Sequence, residues 1–371
     1  MLAKVKDIIS MIESYFPLEL AESWDNPGLQ LGSRHQLVER VLISLDLDHQ
    51  ILDLARQEKV DMIITHHPLF FRAPKNIDFD LAQGGLIRSL IKSDISVYSA
   101  HTNLDAGERG LSQVLAEKLG LEEIAPLDSY KREELLKTVV FVPFSHLKAV
   151  RAAMSQAGAG HIGKYSECSF SAQGQGTFLP EEDAQPFIGK KGQLEEVDEY
   201  RLEMILYRRD LKGVVSALEL AHPYEEVAYD IYELKNEYRV FSMGRKGRLK
   251  EAMNLGELGR LVKKALNLET LRVVGKLEEQ VQKVAVVSGA GASFIDTAAR
   301  QNIDVLISGD IKYHEAKNAE ALGLAIIDAG HQGTEQIVSS LLCHLLDESC
   351  RKQEWKITFL PGYSSQIFTS L

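Results

Sequence analysis

The sequence predicts an α/β protein built from two similar lobes, with an α+β domain inserted between them. Three observations carry this reading. Six short apolar runs, at 41–47, 61–65, 95–100, 283–289, 305–310 and 324–330, are separated by helical patterns. Strands covered on both faces read as continuous apolar runs, and their alternation with helices marks βαβ units. The pattern also occurs twice: "VLISLDLDHQILDLARQEKVDMIITHHPLF" is echoed by "VAVVSGAGASFIDTAARQNIDVLISGDIKYHEA". In the continuation, "VYSAHTNLD" lies over "IIDAGHQGTE", so that His101 falls on His331 and Asp105 on Glu335. This is read as a diverged internal duplication with a pseudo-twofold relation. Finally, the rhythm changes after residue 128, which sets expected boundaries at 1–128 for the first lobe, 129–241 for the insert and 242–371 for the second lobe.

The elements follow in order. The opening "MLAKVKDIISMIESYFP" carries Ile8, Ile9, Met11, Ile12, Tyr15 and Phe16 at helical spacing. It lacks the continuous apolar region of a signal peptide, and no stretch approaches the length of a membrane span. Cys168, Cys343 and Cys350 form no C-x-x-C pair, the usage of a reducing compartment, so a cytoplasmic location is expected. "WDNPGLQLG" (24–32) reads as a turn-rich loop, either packed or lining a pocket. The strand at 61–65 runs into His66, His67 and Pro68, and the strand at 95–100 into His101 and Asp105.

In the insert, 135–143 reads as a strand, 146–158 as a helix, 200–210 as a strand, 211–223 as a helix and 226–234 as a strand, the order of a ferredoxin-like fold. Segment 171–192 is rich in glycine and polar residues and reads as loops or a hairpin. In the second lobe, "SGAGAS" (288–293) fits a tight βα turn better than a phosphate cradle, because no GK[ST] follows. Asp310 and His314 come after the strand residues 305–308, and His331 and Glu335 open an amphipathic helix that carries Cys343 and Cys350.

Histidines and carboxylates thus gather after the proposed strands, at the edge where open α/β sheets bind ligands. Each has a plainer reading alone: His66 and His67 as surface imidazoles, Asp105 as a helix cap, Glu335 as an anion near a helix N-terminus. Together, imidazole and carboxylate suit Zn, Fe, Mn or Ni. A carboxylate-rich set often holds two ions about 3.5–4 Å apart and supports hydrolysis. The net charge of −11 disfavours sequence-independent nucleic-acid binding, which needs clustered Lys and Arg.

"WDNPGLQLG", "ITHHPLFF", "SAHTNLDAGERGLSQVLAEKLGL", "SGDIKYHEA" and "DAGHQGTEQ" together resemble the dinuclear-metal-centre hexameric family, whose members carry the name GTP cyclohydrolase 1 type 2 homolog. The insert, with "GQGTFLP" and "AHPYEEVAYDIYEL", resembles the accessory domain of the longer bacterial members, which is similar to CutA and PII proteins. The resemblance implies two divalent ions held by His66, His67, Asp105, His331 and Glu335, with Asp105 and Glu335 bridging. His101, Asp310 and His314 lie nearby as supporting or proton-transfer residues. It also implies a toroidal homohexamer, a trimer of dimers, with the inserts capping the ring. The expected function is a metal-dependent hydrolase acting on a nucleotide or related small molecule, with GTP ring opening as the named case. The alternative is a non-catalytic metal-binding regulatory scaffold whose insert senses a small molecule.

Overall fold

In the computed structural model, which describes residues 3–236 and 239–368, the apolar runs form the parallel strands of two sheets. The first sheet has the order Thr358–Pro361, Arg40–Ser44, Met62–Thr65, Ser96–Ser99, Gly28–Leu31. Its first four strands are parallel and the last is antiparallel. The second has the order Arg272–Val274, Ala325–Asp328, Val305–Gly309, Gln280–Ala290, Gly244–Asn254, Glu122–Pro126. Its three central strands, 280–290, 305–309 and 325–328, are parallel. In both sheets an antiparallel strand from earlier in the chain closes the parallel run, Gly28–Leu31 beside Ser96–Ser99 and Arg272–Val274 beside Ala325–Asp328.

Alternation along each strand explains the continuous apolar runs. Val41, Ile43, Met62 and Ile64 pack with the helices Val5–Tyr15 and Val338–Lys352 on one face. Leu42 and Ile63 pack with Ile51, Leu52, Leu86 and Leu90 on the other. In the second sheet, Val284, Val286 and Ile307 face Leu255, Leu258 and Val262, whereas Ala285, Leu306 and Ile326 face Ile295, Ala298 and Ala319.

By contact the chain divides into two units, Met1–Lys131 with Phe241–Leu371, and Arg132–Val240. Both sheets described above belong to the first unit. The second unit holds one antiparallel sheet of order Phe170–Phe178, Glu195–Tyr207, Leu135–Pro143, Tyr229–Glu233. Its helices Leu147–Gln156 and Leu211–Ala221 cover one face through Val150, Met154, Val214 and Leu218. Among the described residues, no helix is long and apolar enough to cross a membrane.

Several local expectations are narrowed or corrected. Of the loops or hairpin expected at 171–192, the hairpin is what forms: Phe170–Phe178 pairs antiparallel and in continuous register with residues 195–203 of the strand Glu195–Tyr207, despite its glycines. The run at 41–47 leaves the sheet after Ser44, whose hydroxyl donates to the Asp46 carbonyl and closes a turn. The helix expected from His331 breaks after Glu335 and restarts at Val338. "WDNPGLQLG" is only partly loop, since Gly28–Leu31 is the antiparallel strand beside Ser96–Ser99.

Candidate metal centre

The cluster is assembled from the carboxyl ends of the parallel strands and the short helices that follow them. The ladder continues past Met62–Thr65: the backbone N–H of His66 donates to the Ser44 carbonyl at 3.1 Å and that of His67 to the Leu45 carbonyl at 3.0 Å. This fixes the backbone beneath both imidazoles. His66 is fully buried, and the two rings lie 5.2 Å apart. After Ser96–Ser99, His101 caps the helix Thr102–Ala106, which carries Asp105. After Ala325–Asp328, the helix His331–Glu335 begins and ends on residues of the cluster.

Glycines let this last helix approach. Gly289 has φ +63°, and a Cβ there would collide with Glu335 Oε1. A Cβ on Gly309 would lie 2.6 Å from the His331 backbone nitrogen. Thus "SGAGAS" makes a close backbone approach to Glu335 at the strand end, and the Gly289 N–H donates to Thr334 Oγ1 at 2.9 Å.

Glu335 lies at the centre and is nearly fully buried. Its Oε2 is 3.0 Å from both His67 Nε2 and His331 Nε2, and its Oε1 is 3.8 Å from His66 Nε2. Asp105 Oδ2 lies 3.6 Å from His66 Nε2, while Asp105 Oδ1 accepts from Ser288 Oγ at 3.2 Å. Every imidazole is held from behind at Nδ1. His66 donates to the Ala100 carbonyl (2.8 Å), His67 to Asp46 (2.7 Å), His101 to Asp25 (2.8 Å) and His331 to Asp310 (2.8 Å). An imidazole tied at Nδ1 presents its Nε2 lone pair outward, the arrangement that orients metal-ligating histidines.

The His66, His67 and His101 ligand atoms lie within 4.8 Å of one another, as do those of His67, His331 and Glu335. Each trio has the residue types and spacing to hold a metal ion. His66 Nε2 is buried with no hydrogen-bond partner among the described residues. An unsatisfied buried nitrogen costs about 1–3 kcal/mol, and a metal ion is a partner that removes that cost.

Without metal, protons balance the charge. Burial opposes the charge on Glu335, but the imidazoles of His331, His66 and His67 outweigh it and hold the carboxyl well below its ordinary value. Burial pushes Asp105 up, against the pull of His66, and the charge on Glu335 adds to the rise. Burial alone would lower His67, yet Asp46 and Glu335 raise it to about 10. Hydrogen bonding to Glu335 raises His331 to about 9 against burial. Both are therefore imidazolium at neutral pH in chelator-stripped protein, whereas a metal takes only neutral imidazole.

Three expected outcomes arise here. Metal uptake at pH 7 releases protons, and apparent affinity climbs as pH rises towards 9; calorimetry in buffers of different ionisation enthalpy measures the release. The same shifts stabilise the stripped fold fully below the ordinary value of 6.5, and that contribution disappears as pH rises through about 9 and then 10. Asp46→Asn, which leaves the ligands in place but weakens the hold on His67 Nδ1, lowers metal affinity by roughly 10–100-fold. Competition against a chelating dye reads that loss, and unchanged affinity would show that Asp46 does not orient His67.

The geometry brings together His66, His67, His101, Asp105, Asp310, His331 and Glu335. His314 stands apart: it is exposed in the first turn of Tyr313–Ala321, with its ring against Tyr313. Sequence reasoning missed Asp46 and Asp25. Asp46 follows a strand of the same sheet edge, which was a usable signal. Asp25 sits in "WDNP", and its link to His101 is purely tertiary. Burial would raise Asp25, but His101 and Thr102 outweigh it and hold the carboxyl at about 2. Next to Asp25, Trp24 is 56% exposed, and its ring lies 5.6 Å from that of Phe71, which is 52% exposed. Both rings stand near-perpendicular to His101, at 6.1 and 6.2 Å.

Comparison with known proteins places the chain in a family. The family model described as Duf34/NIF3 (NGG1p interacting factor 3) matches residues 3–365. A Halalkalibacterium halodurans protein named GTP cyclohydrolase 1 type 2 homolog is 42% identical over 348 residues, covering 92% of this chain and 94% of that one. A Bacillus subtilis protein of the same name is 40% identical over 367 residues, covering 99% and 98%. The crystal structure of a Bacillus cereus protein related to NIF3 aligns with a TM-score of 0.91 at 40% identity, over 100% of both chains. With the match spanning nearly its whole length, the chain belongs to the Duf34/NIF3 family.

Proposed function

We propose that this protein is a hydrolase that holds two divalent metal ions and acts on a nucleotide or related small molecule. One observation carries the reading: His66, His67 and His331 are tied at Nδ1 and turn Nε2 towards one buried carboxylate. The two oxygens of Glu335 divide the site. His66 and Asp105 with Oε1 would hold one ion, and His67 and His331 with Oε2 the other. Glu335 is the better bridge, because one oxygen of Asp105 is engaged by Ser288. When bound, divalent ions supply Lewis acidity and acidify water.

The residues around the ligands have distinct tasks. Asp310 and Asp46 orient His331 and His67. His101, held by Asp25, keeps Nε2 available to take or return a proton. The contacts that support this role for His101 do not extend to His314. Trp24 and Phe71 form an aromatic wall beside His101 on which a planar ring would stack. The name carried by the relatives makes GTP the first substrate to test.

The proposal extends to the remaining expectations. The strand order of the second unit supports a ferredoxin-like insertion, and the matching cores of the two sheets support an internal duplication. The homohexamer rests on the resemblance and is checked by light scattering.

The deciding experiment measures metal per chain, then screens nucleotides for hydrolysis with metal-loaded and chelated protein. About two ions per chain, and turnover that needs them, support the reading. Two ions without turnover on any nucleotide favour the scaffold, and failure to bind Zn, Mn or Fe removes the metal centre. In the same assay, Trp24→Ala is expected to raise KM by roughly 10-fold, the worth of one stacking contact, while leaving metal content unchanged.

A further inference from the structure

The second unit contains a cavity of about 900 Å³, and none of its walls belongs to the metal cluster. Leu202 and Met204 face the helices, so Glu199 and Arg201, one register out, lie on the sheet face that those helices leave bare. Glu199 is 7% exposed and lines the cavity. Its Oε1 accepts from the Tyr224 hydroxyl at 2.9 Å. The Phe178 and Phe187 rings stand 6.0 and 6.3 Å from that of Tyr224.

The strand glycines uncover the carboxylate. Gly174 pairs with Glu199 across the sheet, and a Cβ there would meet nothing within 4 Å. At Gly176 a Cβ would collide with Glu199 Oε2. Glycine weakens a strand interior, and it marks places where another group must come close. "GQG" therefore keeps the cavity side of a buried carboxylate open.

Charge identifies the occupant. Five carboxylates line the cavity against a single arginine, and that arginine is paired with Glu203 at 3.0 Å. A buried carboxylate is costly until a cation joins it, and aromatic faces attract cations. Burial, with Glu199 beside it, pushes the Tyr224 phenol up, so it stays a neutral donor and does not supply the missing charge. The acidic lining repels phosphates and carboxylates.

We infer that this cavity binds an organic cation, an ammonium or guanidinium carried on an apolar body, with Glu199 as its counter-charge. The inference is independent of the hydrolysis reading and survives its failure.

The test is calorimetric titration of the full chain with benzyltrimethylammonium, and with benzoate as the anionic control. The expected result is saturable binding of the cation at one site per chain, and none of benzoate. Glu199→Gln keeps the shape and the Tyr224 bond, and is expected to weaken binding about tenfold or more. Gly174→Val fills open space without changing charge and is expected to abolish it. No saturable cation binding, equal affinity for benzoate, or wild-type affinity in both variants would overturn the inference. One variant changes charge and the other volume, so if one fails to fold the other decides.

Discussion

Glu335→Ala is expected to empty the metal centre altogether, whereas His331→Ala is expected to remove one ion and leave the other. The asymmetry follows from the carboxylate's position. Glu335 faces His67 and His331 with one oxygen and His66 with the other, so its loss takes an anionic ligand from both halves. His331 contributes to one half only, and His66 and Asp105 remain for the other. Loss of an outer partner already costs metal sites about 10–100-fold in affinity, so loss of a shared ligand costs more than about 100-fold. Hydrolysis that depends on both ions falls with either variant. Elemental analysis of protein purified without chelator decides the matter. Equal metal loss in the two variants would show that the ions are not divided as proposed, and full retention in Glu335→Ala would remove Glu335 from the ligand set.

Arg245→Leu is expected to cost about 3 kcal/mol of stability. Arg245 is 4% exposed, and its guanidinium donates to the carbonyls of Ser242 (2.7 Å), Gly107 (2.8 Å) and Gly244 (3.2 Å) and to Gln113 Oε1 (3.0 Å). Burial lowers its pKa, yet arginine stays charged in proteins. Leucine leaves buried carbonyls without donors at about 1 kcal/mol or more each, and forfeits part of the packing. A loss of this size lowers the melting temperature by roughly 6–12 °C in a domain of 150–250 residues. Arg245→Lys keeps the charge with fewer, differently placed donors and is expected to fall between. Gly107 directly follows the helix that carries Asp105, so the guanidinium also ties that helix to the strand Gly244–Asn254. A midpoint within error of wild type for Arg245→Leu would show that these bonds add nothing net.

The parallel cores were legible because strands such as 62–65 and 305–309 are buried on both faces, and burial writes a continuous apolar run into the sequence. His66, His67, His331 and Glu335 were legible for a related reason. Polar residues directly after such a run stand at the one sheet edge where ligands gather. Glycine left the segment at 171–192 undecided between loops and a hairpin, since the side chains that announce a strand are those the cavity beside Glu199 excludes. The helix break after Glu335 was hidden, because His331–Glu335 and Val338–Lys352 share a periodicity that shows no gap.

What the sequence determined by itself is the set of buried parallel strands from 40 to 99 and from 283 to 328 and the identity of the polar residues at their ends, because both follow from local patterning. Tertiary structure alone decided which oxygen stands behind each imidazole. Asp25 reaches His101 across 76 residues, and His67 meets Glu335 across 268. Such pairings depend on how two sheets and their loops meet, and no local period records them. They decide the chemistry, because the atom bound to Nδ1 sets where Nε2 points and which charge it feels.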